Sequence, residues 1–307
     1  MRRIRTLVPA GAVLLAALTS CGGGAPRSTS RPVAAATIAP LADLVARVAG
    51  GGWRVVTLVP PGASPHVFEP TARQVRELAP ARLVVSVGAG YDAWVGGLAA
   101  ACASRAERLD LGAVVGVRPA GDDGHGHGAA GHAHGGVGED PHWWLDPTWV
   151  RRSVPSIATS LSALDPAGAR GYAERAAAID EALGVLDAEI EALLRPVRGG
   201  GILTAHHAWV YFAARYGLRT VGAVEPIPGR EPSPRDVAAL LETARRENIR
   251  TLFTEPQFPP GAARVVAGEA GLDIVVVDPI GGVPGRSGYA ELMRENARAF
   301  RDGLRPR

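Results

Sequence analysis

Residues 166–194 read PAGARGYAERAAAIDEALGVLDAEIEALL, and this stretch decides the fold. After Pro166 it holds no proline, and Ala176, Ile179, Leu183, Leu186, Ile190 and Leu193 recur at helical spacing. The pattern predicts one helix over residues 166–194, about 43 Å long at 1.5 Å per residue. The alternative is two shorter helices broken at Gly184. A helix of the longer kind can run the height of a molecule and join two lobes.

On both sides of it, short β-branched runs alternate with helical patterns, as in parallel α/β units. Before the helix, strands are expected at residues 54–59, 83–87 and 114–117, and helices at 41–49, 72–79 and 93–103. After it, strands are expected at 201–204, 219–224, 251–254 and 274–277. The clearest helix start is Ser233-Pro234-Arg235-Asp236, where Ser233 can cap free amides, Pro234 suits the first turn and Asp236 complements the dipole. That helix should run to about residue 248, and another should begin near Pro147. The fold class is therefore α/β: two lobes with mainly parallel sheets, joined by one long helix, with the ligand site in the cleft between them. The expected boundaries are an N-terminal lobe at 33–163, the linking helix at 164–196 and a C-terminal lobe at 197–307.

The first residues have the parts of an export signal. Arg2, Arg3 and Arg5 precede an apolar run at 7–18 that is too short to span a bilayer stably. The run ends Leu18-Thr19-Ser20-Cys21, which looks like a bacterial lipobox. On that reading residues 1–20 are a lipoprotein signal peptide, Cys21 is acylated, and 21–32 are a flexible tether. A plain secretory signal or an uncleaved anchor is the alternative. Removing the signal takes 33 basic residues to 30, equal to the 30 acidic ones, so no electrostatic case for nucleic acid remains. Cys102 then has no partner; it reads as a buried small hydrophobe, and no disulfide is expected.

Residues 121–138 hold eight glycines and four histidines, His125, His127, His132 and His134, with too few apolar residues to fold alone. They are expected to form a mobile loop, either a solvated linker or a weak accessory metal binder.

The chemistry lies in four loop motifs. They are Pro65-His66-Val67, Asp140-Pro141-His142-Trp143-Trp144, Ala205-His206-His207-Ala208 and Val277-Asp278-Pro279. Ligands in an open parallel sheet bind beyond the carboxyl ends of the strands. His206 and Asp278 follow expected strands directly, while His66 lies in a loop stiffened by Pro60, Pro61 and Pro65. Neutral imidazoles plus one carboxylate make a tetrahedral set for a borderline-soft divalent ion, above all zinc. His207 competes with His206 for one position. Glu69, Asp146 and Glu255 are candidates to orient imidazoles, or else are plain loop carboxylates. Trp143, Trp144, Tyr211 and Phe212 read as core or cleft-wall aromatics.

These motifs resemble those of the metal-binding lipoproteins of bacterial zinc and manganese ABC importers, the cluster A-I solute-binding proteins. The similarity runs from about residue 33 to the carboxyl end. It includes Leu58-Val59-Pro60-Pro61-Gly62-Ala63-Ser64-Pro65-His66, Pro141-His142-Trp143-Trp144-Leu145-Asp146-Pro147 and Asp278-Pro279-Ile280-Gly281. The resemblance implies a rigid linking helix and an ion held by His66, His142, His206 and Asp278. It also implies zinc over manganese, since manganese-preferring relatives usually carry a carboxylate where this chain has His206. The residue after the third ligand is commonly acidic in the family but is His207 here, which leaves open which of the two imidazoles binds.

The expected function is a non-catalytic receptor that captures Zn²⁺ and delivers it to an ABC permease. It would work as a monomer, lipid-anchored on the extracytoplasmic face of the plasma membrane. A manganese- or iron-preferring binding protein of the same family is the alternative. A zinc hydrolase would keep three ligands and a water, with Glu69 or Glu255 as general base. The chain has no His-Glu-x-x-His helix and no nucleophile motif to support it. An adhesin-like surface protein with incidental metal has no support beyond the expected surface location.

Overall fold

The computed structural model describes residues 31–118, 137–225 and 229–305. The signal peptide, Cys21, and His125, His127, His132 and His134 lie outside the described residues. No helix among the described residues is long and apolar enough to cross a membrane.

Two four-stranded parallel sheets frame the molecule. The first runs in the order β2 (Arg54–Thr57), β1 (Val33–Ala36), β3 (Ala81–Ser86), β4 (Glu107–Asp110). The second has the order β6 (Arg219–Ala223), β5 (Gly201–Thr204), β7 (Thr251–Thr254), β8 (Asp273–Val276). Both therefore share one 2-1-3-4 topology, with the order reversing beside the first strand of each. β1, Val-Ala-Ala-Ala, is absent from the strands expected from sequence because alanine reads as a helix former. It is a strand because it is central: all four residues are buried on both faces, as parallel strands covered by helices are.

In the first lobe, α1 (Ala39–Ala49), α2 (Ala72–Leu78), α3 (Trp94–Cys102) and α4 (Leu111–Val115) connect and cover the strands. α4 corrects the strand expected at 114–117. Asp110 accepts from the Ala113 amide at 2.9 Å and starts a helix, and Gly116 ends it in the left-handed region at φ 85°. Cys102 is half-buried rather than buried, with its Sγ donating to the Leu98 carbonyl.

Two helices form the spine. α5 (Pro147–Leu164) and α6 (Ala169–Leu194) are joined by a single 3₁₀ turn, Pro166–Gly168, and lie along each other. α6 is unbroken at Gly184 and measures about 39 Å for its 26 residues. It begins three residues later than expected, because the turn after Asp165 absorbs Pro166. Its buried stripe is Tyr172, Ala176, Ile179, Leu183, Leu186, Ile190 and Leu194. Asp187, also buried, takes the Arg215 guanidinium through both oxygens and the Tyr216 hydroxyl. That bidentate pair ties α6 to α7 (Val210–Tyr216).

α8 (Pro234–Arg246), α9 (Pro260–Ala270) and α10 (Tyr289–Leu304) complete the second lobe. Ser233 caps α8 reciprocally with Asp236. One contiguous core runs through both lobes: it takes α1 and β3 from the first, Phe253 and α10 from the second, and α5 and α6 between them. Smaller cores fill the outer faces, under α2 and α3 on one sheet and under α8 and α9 on the other. Because α1 and α10 both pack on α6, the lobes share their largest apolar interface. Across the seam, the Tyr289 amide donates to Asp43 at 3.0 Å.

Candidate metal centre

The carboxyl ends of the two sheets carry the site. β2 leads to His66 through Pro60 and Pro61, and His66 sits in a one-turn 3₁₀ segment, Pro65–Val67. β5 leads to His206, and β7 leads to Glu255. His142 comes from neither sheet; it precedes the 3₁₀ turn Trp143–Leu145 that opens into α5. Its two neighbours fix it at the midline, because they reach into opposite lobes. Trp143 Nε1 donates to Val87 O at 3.1 Å, while Trp144 Nε1 donates to Pro279 O at 2.8 Å. The Tyr289 hydroxyl donates back to Trp144 O at 2.8 Å. These tryptophans are more than cleft walls: they hold His142 in register with both lobes.

His66, His142 and His206 each bring one ring nitrogen within 4.8 Å of the others. His142 Nε2 lies 3.1 Å from His66 Nε2 and 3.3 Å from His206 Nε2. Two nitrogens on a tetrahedral zinc, each 2.0–2.1 Å from the ion, stand about 3.3 Å apart. The far side of two rings is held by carboxylates. Asp140 Oδ1 accepts from His142 Nδ1 and from the His142 amide, both at 2.8 Å. Glu255 Oε2 lies 2.8 Å from His206 Nδ1, close but off the hydrogen-bonding direction, and neither atom has another partner. Glu255 Oε1 accepts from Trp209 Nε1. Asp140 keeps a proton on His142 Nδ1, so the His142 Nε2 lone pair points inward. His142 and His206 are 3 % exposed, and burial beside two other imidazoles holds the His66 pKa well below its usual value. That favours the neutral form of His66, the form that binds a cation.

Aromatic rings fix the remaining freedom. His66 stacks edge-on against Tyr91 at 4.5 Å, and His206 lies against Phe258 at 4.6 Å. The next residue, Asp92, is fixed by its carboxylate, which accepts from Thr37 Oγ1 and from the amides of Val87 and Gly88. Burial pushes the Asp92 carboxyl up despite those bonds. The sequence reading missed Tyr91, Asp92 and Phe258, and the chain carried no signal for them beyond proximity to the motifs. Asp140 had a signal: it stands two residues before His142 inside the quoted motif.

Other sequence candidates sit elsewhere. Asp146 does not orient an imidazole; it caps α5, accepting from the Thr148 amide and hydroxyl at 2.8 Å. Glu69 is exposed, and His207 is half-buried beside His206 and outside the three-nitrogen cluster. Asp278 is 1 % exposed and likewise outside that cluster. Its Oδ1 accepts from Gln257 Nε2 at 2.9 Å, Ile280 N at 3.1 Å and Gly281 N at 3.0 Å, and its Oδ2 faces Arg286 Nη1 at 3.4 Å.

Three ring nitrogens converging in a buried pocket backed by carboxylates make a receptor for a soft or borderline cation. A family model described as the periplasmic component A of the zinc-uptake complex matches residues 35–303. The zinc-binding protein AdcA of Streptococcus pyogenes serotype M3 is 27% identical over 280 residues, covering 86% of this chain and 54% of the relative. The high-affinity zinc uptake system protein ZnuA of Brucella abortus is 30% identical over 167 residues, 54% of this chain and 50% of the relative. The chain thus spans about half the length of the curated relatives it matches. Among solved structures, a zinc-bound ZnuA deletion mutant superposes with a TM-score of 0.77 at 26% identity, covering 91% of this chain and 100% of that one. The periplasmic zinc-binding protein TroA of Treponema pallidum shares the fold, with a TM-score of 0.76 at 22% identity over 90% of this chain and 100% of that one.

Proposed function

The chain belongs to the family of periplasmic A components of zinc-uptake complexes, and from that premise we propose that it is the extracytoplasmic receptor that captures Zn²⁺ and hands it to an ABC permease. The observation that carries the reading is the separation of the Nε2 atoms, 3.1 and 3.3 Å, at the edge length of a tetrahedral zinc site. His66, His142 and His206 are the ligands. Asp140 and Glu255 orient two of them. Zinc is favoured over manganese because three imidazoles are softer than the oxygen-rich sets that manganese prefers. AdcA and ZnuA relatives, named as zinc-binding and zinc-uptake proteins, support the same cargo.

The protein binds without chemistry. Glu255, the carboxylate that a hydrolase would need as base, lies against His206 Nδ1 and Trp209 instead. Lipid attachment at Cys21 would tether a monomer to the plasma membrane, with residues 1–20 removed and 21–32 as the tether. Residues 33–163 and 197–307 act as the two lobes, and 164–196 as the segment whose helix, α6, holds them at a set distance. The histidine segment at 121–138 would act as a weaker, exchangeable collector.

Metal analysis of the purified chain beside its His206→Ala variant tests this. About one tightly held zinc per chain, lost in the variant, is expected. Wild-type protein that retains manganese or no metal after dialysis would overturn the reading.

A further inference from the structure

A cavity of about 360 Å³ opens at the carboxyl ends of the second sheet. Ala205 after β5, Glu225 after β6, Thr254 and Glu255 at β7, and Val276 of β8 all line it. None of the three imidazoles does, yet two lining residues also touch the ion site. Glu255 Oε2 stands 2.8 Å from His206 Nδ1, and the Phe258 ring lies 4.6 Å from the same imidazole. From this cavity Glu255 is reached without entering the space between the imidazoles.

The walls are mainly apolar, but two carboxylates stand in them, Glu225 at 7 % and Glu255 at 3 % exposure. The Glu225 amide donates to Ala205 O at 2.8 Å, which fixes that residue beside β5. Burial pushes the Glu225 carboxyl up; the Gly229 amide donates to it, and the charged groups acting on it are His206 and Glu231. Glu255 Oε1 accepts from Trp209 Nε1, while the buried Oε2 makes no hydrogen bond. Among the described residues no arginine lines the cavity. The first turn of α9 does, and its dipole supplies about half a positive charge. Half a charge leaves most of two carboxylates uncompensated. Buried anions in apolar walls select a cation carried on a hydrocarbon stem. The mouth lies at the surface, since Pro256 and Pro259 are exposed and Val276 is 46 % exposed.

We propose that this cavity receives a lysine or arginine side chain of the protein that takes the ion, and that this cation draws Glu255 away from His206. The inference rests on the zinc-receptor reading and deepens it by naming a trigger for release. A cation at Glu255 satisfies Oε2 and competes with His206 Nδ1 for the carboxylate, so His206 becomes a poorer donor to zinc. By linkage, zinc in the cluster and the cation in the cavity weaken each other by the same factor. A side chain of a docked protein suits the place, because the apolar rim of Pro256, Pro259 and Val276 gives its surroundings a surface to cover.

The test measures zinc affinity of the full chain by chelator competition in the presence of n-propylguanidinium or n-butylammonium, the arginine and lysine side chains without their backbone. Saturation with either should weaken zinc by about tenfold, while n-butanol and NaCl of equal ionic strength should leave it unchanged. Glu225→Gln removes one anion and Val276→Phe fills the mouth. Both should keep wild-type zinc affinity and lose the response, with a melting curve without metal to check the fold. A glycine pentapeptide with arginine at its centre should reproduce the effect. An equal response to butanol, a response unchanged in both variants, or one that the free cations give and the peptide does not overturns the proposal. Calorimetry on the metal-free chain reads the cavity alone. Absence of binding by either cation there overturns the proposal with the receptor reading intact, whereas a wild type that holds no zinc removes that reading instead.

Discussion

The Nε2 atoms of His142 and His206 face each other across 3.3 Å, while the Nδ1 atom of each ring stands 2.8 Å from a carboxylate oxygen, of Asp140 and of Glu255. Asp140 holds the proton on the outer nitrogen of His142, and when His206 carries its proton on the side of Glu255 the inner nitrogens oppose lone pair to lone pair. That arrangement is unfavourable without a shared proton or cation between them. The protein sustains it because both rings are clamped from behind by groups of the core. The site is thus pre-organised for a positive charge at one point.

Removing a clamp should loosen the cation without removing a ligand. Glu255→Gln keeps the shape but weakens the pull on His206 Nδ1, and zinc affinity is expected to fall by about ten- to a hundredfold. Asp140→Asn should act similarly on His142. Chelator competition measures both, and circular dichroism should show the fold unchanged. Unaltered affinity in the two variants would mean that the carboxylates do not orient the rings.

The adjacent histidines should prove unequal. His206 lies inside the nitrogen cluster and His207 outside it. His207→Ala is expected to keep the tight zinc that His206→Ala loses, as read by metal content after dialysis. The opposite result would reassign the third ligand.

Acid should empty the site. Burial first, then the charges of His142 and His206, lower the His66 pKa. The folded state therefore takes up this proton at a lower pH than the unfolded chain does. The stabilising contribution is complete above the unfolded value of about 6.5 and is lost as pH falls from there through the folded pKa. Melting temperature without metal should drop across that window. Zinc affinity should fall as well, since protons and zinc compete for the imidazoles. A titration from pH 8 to about pH 5 reads both, and a zinc affinity flat over that range would contradict the three-imidazole site.

The linking helix should make the lobes melt together. Leu183 is 2 % exposed on the α6 stripe, within the core that both lobes share. Leu183→Ala is expected to cost about 2–5 kcal/mol, with a single calorimetric transition retained. Two separated transitions would show that each lobe is stable by itself. Arg151 and Asp180, each about two-fifths exposed, form a surface pair, and Arg151→Ala should change stability by no more than about 1 kcal/mol.

Local pattern carried much of the architecture. The stripe from Ala176 to Ile190 announced α6, the Ser233 box announced α8, and β5 and β7 stand where their β-branched runs put them. Each signal is a period or a cap, which a few neighbouring residues determine by themselves. β1 escaped because its alanines are strand-forming only when buried on both faces, and residues 114–117 escaped because Asp110 and Gly116 cap a helix there. The four motifs were visible for a local reason too: His206 and Asp278 follow strands directly, and prolines flank His66, His142 and Asp278. Which of those groups converge was decided elsewhere. Three imidazoles meet because Trp143 and Trp144 bind His142 to opposite lobes, and Asp278 lies outside that cluster, bonded to Gln257 and Arg286. Distances among side chains more than sixty residues apart depend on the packing of the whole core, and no single stretch of chain encodes that.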